Sequence, residues 1–356
     1  MAASAESKFD VTPEKQASLP RFFYHQITTK PEAVTGVSLE GKTAIVTGAN
    51  TGVGFETSRQ LLDLGISKLI LAVRDEAKGA AAAKKLAEGR VGLGEDAISV
   101  WKLDLCVYDS VVAFADRAEA ELSRLDIAIL NAGIGPLQRA FNEHTGHDQV
   151  VQVNYLSTAL LAVLLLRVIQ SKRPGQPGPS RLTIVSSEVS AWTRFKEGTD
   201  KPPSILAALD RKDQKVDMLD RMMVSKLLGQ FFLAEIAKRV PTDLAVVNAA
   251  SPGSVYDSEF NRDRDGTVSG AVAKTVMKRM ANSAAVGARM ITDAAVRHGE
   301  ETHGEFLSFQ KVVPYVFFPP FFFPSLPHPP PHLFLSAPKL LIIPSSMRKS
   351  LSMEMT

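Results

Sequence analysis

The stretch TAIVTGANTGVG, residues 43–54, decides the fold. It begins as a short apolar run of the kind a parallel sheet buries on both faces. The run stops at Gly48, and Gly52 and Gly54 follow in the spacing G-x-x-x-G-x-G. From Val53 to about Leu64 the apolar residues recur at helical spacing. Glycine permits a tight turn and lets the backbone come close to a bound group. The helix that starts there aims free N–H groups, and the positive end of its dipole, back at the turn. A glycine trio alone marks a turn. With a strand before it and a helix after it, the trio marks a pyrophosphate site. Gly48, Asn50, Thr51, Gly52, Val53 and Gly54 are the expected contacts.

Working outward, strand and helix patterns alternate. KLILAV (68–73) reads as a second strand, and Asp75 opens an alanine-rich helix to about Glu88. AISVWKLDL is a third strand ending near Leu105, followed by a helix over Tyr108 to Arg124. IAILNAG (127–133) is a fourth strand, and a long helix runs from about Asp148 to the GQPGPS turn. RLTIVSS (181–187) is a fifth. A polar insertion of about thirty residues precedes a helix over Val216 to Lys238. LAVVNAASPG, a helix over Ser283 to Arg297, and EFLSF (305–309) complete the pattern. Such alternation predicts an α/β fold: a single Rossmann-type, doubly wound parallel sheet flanked by helices. Ligands of such sheets bind at the carboxyl ends of the strands, where each motif here falls.

Arg74 ends the second strand. An acidic residue there would take a ribose hydroxyl; an arginine suits a 2′-phosphate, and Lys78 adds charge one turn on. The residues therefore favour NADP(H) over NAD, with solvated helix-start residues as the bland alternative.

Composition sets the outer limits. The chain has 356 residues, 45% apolar and 22% charged, with 41 basic and 38 acidic side chains for a net +3. That balance gives no basic surface for nucleic acid. The single cysteine, Cys106, excludes an intrachain disulfide and fits a reducing compartment. MAASAESKFDVTPEKQ has no apolar core and is not read as a secretory signal, so a cytoplasmic location is expected. Residues 1–38 read as an N-terminal extension and 39–312 as the dinucleotide-binding domain. Residues 313–356 read as a Pro/Phe-rich irregular tail that holds ten of the 21 prolines. Proline breaks helices and donates no backbone hydrogen bond, so membrane contact is not expected of it.

The chain resembles the short-chain dehydrogenase/reductase family from about Leu39 to Val312. The resemblance rests on TGANTGVG, Asp104 in KLDL, the NAG of Asn131 to Gly133, Asn154 in VNYLST, the serine pair of IVSS and the PG of 252–253, all in the family's order. The insertion makes it most similar to the fungal secondary-metabolite and retinol-dehydrogenase-like branch. By position, the resemblance implies that Asp104 holds the adenine edge. It implies that Asn131 and Gly133 line the adenosine ribose and that Val255 meets the nicotinamide amide. Ser187, Lys226 and Asn154 take the family's catalytic serine, lysine and asparagine positions. The family's proton donor is a tyrosine four residues before the lysine, on the same helix face. Here that position is Met222. A thioether has no proton to give. None of the five tyrosines has a lysine four residues on, and Tyr155 and Tyr256 read as packing or surface residues.

Three readings follow. The first is an NADP(H)-dependent oxidoreductase interconverting a carbonyl and an alcohol on a small lipophilic metabolite, in a secondary-metabolite pathway. The second is a cofactor-bound protein without redox activity, and the third a non-redox enzyme on the same fold. No metal site is expected. The resemblance implies a homodimer or homotetramer paired through the two long helices. Residues 256–280 are expected to cover the pocket, and Trp192 either to line it or to pack the insertion.

Overall fold

A computed structural model describes residues 9–199, 202–257 and 280–315. The expected pocket cover over 258–279 and the tail from 316 onward lie outside the described residues.

Two short helices come first, α1 (Pro13–Gln16) and α2 (Leu19–Thr28). The sheet begins with β1 (Thr43–Thr47), then α3 (Gly52–Asp63), β2 (Lys68–Val73), α4 (Glu76–Ala87) and β3 (Ile98–Lys102). After α5 (Tyr108–Glu121) the chain returns to β4 (Ile127–Leu130). The long helix is α6 (Gln149–Val151), a π turn over Gln152–Ser157, and α7 (Thr158–Lys172). Then come β5 (Ser180–Val185), the short α8 (Lys196–Thr199) and α9 (Ile205–Leu209), α10 (Met218–Ala237) and β6 (Ala245–Ala250). Next are α11 (Ala284–Val296), β7 (Phe306–Ser308) and β8 (Lys311–Val313).

The strands lie in the order β3-β2-β1-β4-β5-β6-β7-β8, all parallel except β8, which runs antiparallel to β7. The chain therefore builds outward from β1 to β3, then returns to β4 on the other side of β1. That reversal opens a crevice at the carboxyl ends of β1 and β4. Every residue of β1, β4 and β6 is buried. One apolar cluster gathers Phe114 of α5, Leu165 of α7 and Leu228 of α10 on one face, and another gathers Leu61 of α3, Leu86 of α4 and Ile291 of α11 on the other.

Helix starts follow side-chain chemistry. Asp75 accepts from Lys78 N at 3.1 Å, Asp217 from Leu219 N at 2.9 Å and Ser283 from Val286 N at 3.4 Å. Each satisfies an amide that a helix start leaves without a partner. Gln149–Gly175 is the one described helix long and apolar enough to cross a membrane, and 72% of its most apolar window is buried in the fold.

Four features differ from the sequence expectation. The third strand stops at Lys102 rather than near Leu105, because Asp104 Oδ1 accepts from Cys106 N at 2.9 Å and turns the chain. The helix expected from Asp148 is interrupted by the π turn. The described residues of the insertion after Ser187 form two short helices held to the body: Arg221 of α10, fully buried, reaches Glu197 at 3.1 Å and Asp148 at 3.4 Å, and Arg139 donates to Leu209 O at 2.7 Å. Finally, β8 follows a two-residue turn at Phe309 and Gln310, with φ of 48° and 63°. Hairpins of this kind ordinarily carry Asn-Gly, so Phe-Gln gave no signal. The Phe309 ring meets Phe22 and His25 of α2 at 6.5 and 5.7 Å, a contact that offsets the strained backbone.

Candidate active site

The crevice is a cavity of about 940 Å³ along the carboxyl ends of the strands. Gly48, Asn50, Thr51, Gly52 and Val53 form its floor at the start of α3. Gly48 has φ 63°, and a Cβ there would stand 3.1 Å from Ala132 Cα. Gly54 does not line the cavity. A Cβ on it would come within 2.4 Å of Asn131 Nδ2 and 2.5 Å of Gly48 O, so Gly54 lets α3 pack against the turn. Asn131 locks that turn, its Nδ2 donating to Thr47 O at 2.9 Å while its own N–H donates to Thr47 Oγ1 at 2.9 Å. A narrow backbone cradle with helix N–H groups behind it fits a pyrophosphate.

The β2–β3 end is lined by Arg74, Lys78 and Asp104, as the sequence suggests, and also by Lys102. Lys102 was missed. It is paired in register with Val73, and its Nζ donates to Arg74 O at 2.6 Å. Three cations therefore ring this end. Asp75, Glu76 and Asp104 line it too, but Asp75 and Asp104 each accept from a nearby backbone amide. Burial pushes the neighbouring Cys106 thiol up, so it is not an activated nucleophile.

The other end brings Ser187, Met222, Lys226, Gly133 and Val255 onto one wall. Ser187 stands at the mouth of β5, where its hydroxyl accepts from Val189 N at 3.4 Å. Met222 and Lys226 lie one turn apart on α10. Lys226 Nζ donates to Val185 O at 2.9 Å, and burial brings its pKa down to about 8. Ile134, Pro136, Val153, Val185 and Val189 add apolar surface to this end, beside the polar Gln149, Ser186 and Ser254.

Asn154 is not on the wall. It sits in the π turn, accepts from Ile134 N at 2.8 Å, and donates to Ile134 O at 2.9 Å and Ser225 Oγ at 3.1 Å. Its amide thus fixes the loop after β4 against α10. A π turn of this sort re-aims side chains and recurs at functional sites. Neither Tyr155 nor Tyr256 lines the cavity. Tyr155 is buried away from the cavity, with its pKa pushed up to about 12 by burial, and Tyr256 is also off the wall. Trp192 packs rather than lines: its Nε1 donates to Ala17 O at 2.8 Å. Among the described residues no His/Cys/Asp/Glu cluster could hold a metal.

Residues 42–188 match the short chain dehydrogenase family. The chain is 44% identical over 311 residues to a short-chain dehydrogenase, fogG, of Aspergillus ruber, covering 86% of this chain and 88% of that one. It is 41% identical over 299 residues to a short chain dehydrogenase/reductase, mfmJ, of Annulohypoxylon moriforme, covering 83% and 84%. Among solved structures, a short chain dehydrogenase from Escherichia coli CFT073 complexed with NADPH shares the fold. It has a TM-score of 0.55 at 19% identity, over 78% of this chain and all of that one. The chain belongs to the short-chain dehydrogenase/reductase family, a family of oxidoreductases built on a Rossmann-type fold.

Proposed function

We propose that the protein is an NADP(H)-dependent oxidoreductase that interconverts a carbonyl and an alcohol on a small lipophilic metabolite, at a rate held down by Met222. The observation that carries this reading is the shared wall of Ser187, Met222 and Lys226, continuous with the glycine cradle and the cations of the β2–β3 end. The fungal relatives support a role in secondary metabolism.

In this reading Arg74, Lys78 and Lys102 hold a 2′-phosphate by charge-assisted bonds. The amides at Gly52 and Val53 hold the pyrophosphate, and Asp104, Asn131 and Gly133 border the adenosine. Val255 meets the carboxamide. When bound, the nicotinamide supplies or accepts the hydride. Ser187 orients the substrate oxygen. Lys226 holds the nicotinamide ribose and, at about 8, stands in the range where a group can also give up a proton near neutral pH. Asn154 acts at one remove, by fixing Ile134 and the start of the cavity wall. The apolar side chains of the wall suit a lipophilic substrate and exclude water. The same reading extends to a cytoplasmic protein paired as a homodimer or homotetramer through α7 and α10.

The test is NADPH oxidation by the purified chain against a panel of lipophilic ketones and aldehydes. Slow, saturable oxidation that disappears in Lys226→Met and Ser187→Ala is expected. Oxidation that persists in both variants would sink the assignment. Met222 also favours a second reading, a cofactor-bound protein without turnover, in which the wild type binds NADPH and oxidises none.

A further inference from the structure

Helix α2 contributes nothing to the cavity wall, yet it grips the loop that does. Gln26 of α2 is 4% exposed, and both ends of its amide are bound to one residue. Oε1 accepts from Ser254 N at 2.9 Å, and Nε2 donates to Ser254 O at 3.2 Å. Pro252, Gly253, Ser254 and Val255 all line the cavity at the Ser187 end. From the opposite side Asn282 N donates to Ser254 O at 2.8 Å. Gly253 N donates to Ser251 Oγ at 3.0 Å, and that hydroxyl donates to the buried Glu188. The loop is thus clamped between α2, Asn282 just before α11, and Glu188 in the turn after β5. The fit is close: Gly253 has φ 67°, and a Cβ there would stand 2.8 Å from Gln26 Oε1.

A second contact reaches the other loop at this end. Trp192 donates to Ala17 O at 2.8 Å and meets the Phe22 ring edge-on at 5.2 Å. The segment leading to Trp192 carries Ser187 and Val189 on the cavity wall. Both grips fall on loops beside the reacting end, and neither falls on the β2–β3 end.

We propose that Gln26 is a positioning residue for the nicotinamide half of the cofactor, acting through the backbone of Ser254 and so of Val255. This rests on the reading of the cavity as an NADP(H) site. A buried side-chain amide that satisfies both polar groups of one loop residue specifies a single loop conformation. Removing it takes its acceptor from the half-buried Ser254 N–H, and the loop relaxes to recover one. Sites lose function when their supporting contacts let them drift by as little as ~1 Å.

The test compares two probes on the full chain. NADPH spans the whole cavity, whereas adenosine 2′,5′-bisphosphate reaches only the β2–β3 end. In Gln26→Met, close in size but without either hydrogen bond, NADPH is expected to bind about tenfold more weakly. That is the worth of ~1.4 kcal/mol. Adenosine 2′,5′-bisphosphate is expected to bind as in the wild type. Gln26→Glu, which keeps the acceptor for Ser254 N, is expected to fall between the two, and serves alone if the methionine variant does not fold. Unchanged NADPH affinity in the variants, or equal weakening of both probes, overturns the proposal. A wild type that binds neither probe instead refutes the cofactor reading on which it rests.

Discussion

At the β2–β3 end of the cavity, Arg74, Lys78 and Lys102 converge from two strand ends and a helix start, beside a backbone cradle that tolerates no Cβ at Gly54. At the other end, Ser187 and Lys226 share their wall with the thioether of Met222. On the proposed reading the first end spreads cofactor binding over several side chains and backbone amides. The second relies, on the same reading, on single side chains, so Met222 at the proton donor's position slows the chemistry. Binding and chemistry can therefore come apart within one cavity.

Restoring the phenol is the strongest way to sharpen that contrast. Met222→Tyr is expected to raise turnover by ~10²- to 10⁴-fold, the usual worth of a positioned general acid, while leaving NADPH affinity nearly unchanged. An absence of gain would mean that the second end lacks more than its proton donor. Next in size is Arg74→Ala. One charge-assisted contact to a phosphate is worth ~1.5–3 kcal/mol, so NADPH affinity should fall by roughly ten- to a hundredfold while NADH affinity stays level. Equal loss for both cofactors would remove the 2′-phosphate role. The smallest effect is with pH. Burial lowers the Lys226 pKa from 10.5 to about 8, so its ammonium is present below that pH and lost above it. NADPH affinity is expected to be full below pH 8 and to decline as pH rises through it. In Lys226→Met the profile should be flat across that window; a decline that persists there would assign the titration to another group.

The glycine turn, the order of the motifs and the helix starts at Asp75 and Ser283 are legible because each is written within a few neighbouring residues. What stayed hidden is written across the fold. Lys102 becomes a site residue only because β3 lies beside β2, which puts it next to Arg74. The π turn at Asn154 is a backbone choice with no residue code. It moves that asparagine off the wall and onto Ile134 and Ser225. Gln26 lies in a stretch that reads as polar extension, and its partner Ser254 is 228 residues away. The turn at Phe309 has no local signature, because the aromatic contact that holds it belongs to α2, at the far end of the sequence.

On the proposed reading the cavity is a working NADP(H) site although Met222 takes the proton donor's position. Titrating the wild-type protein with NADPH, and in parallel with NADH, tests it directly by the change in nicotinamide fluorescence. Saturable NADPH binding, at least tenfold tighter than NADH, is the expected result. No binding of either nucleotide, or equal binding of both, would contradict it.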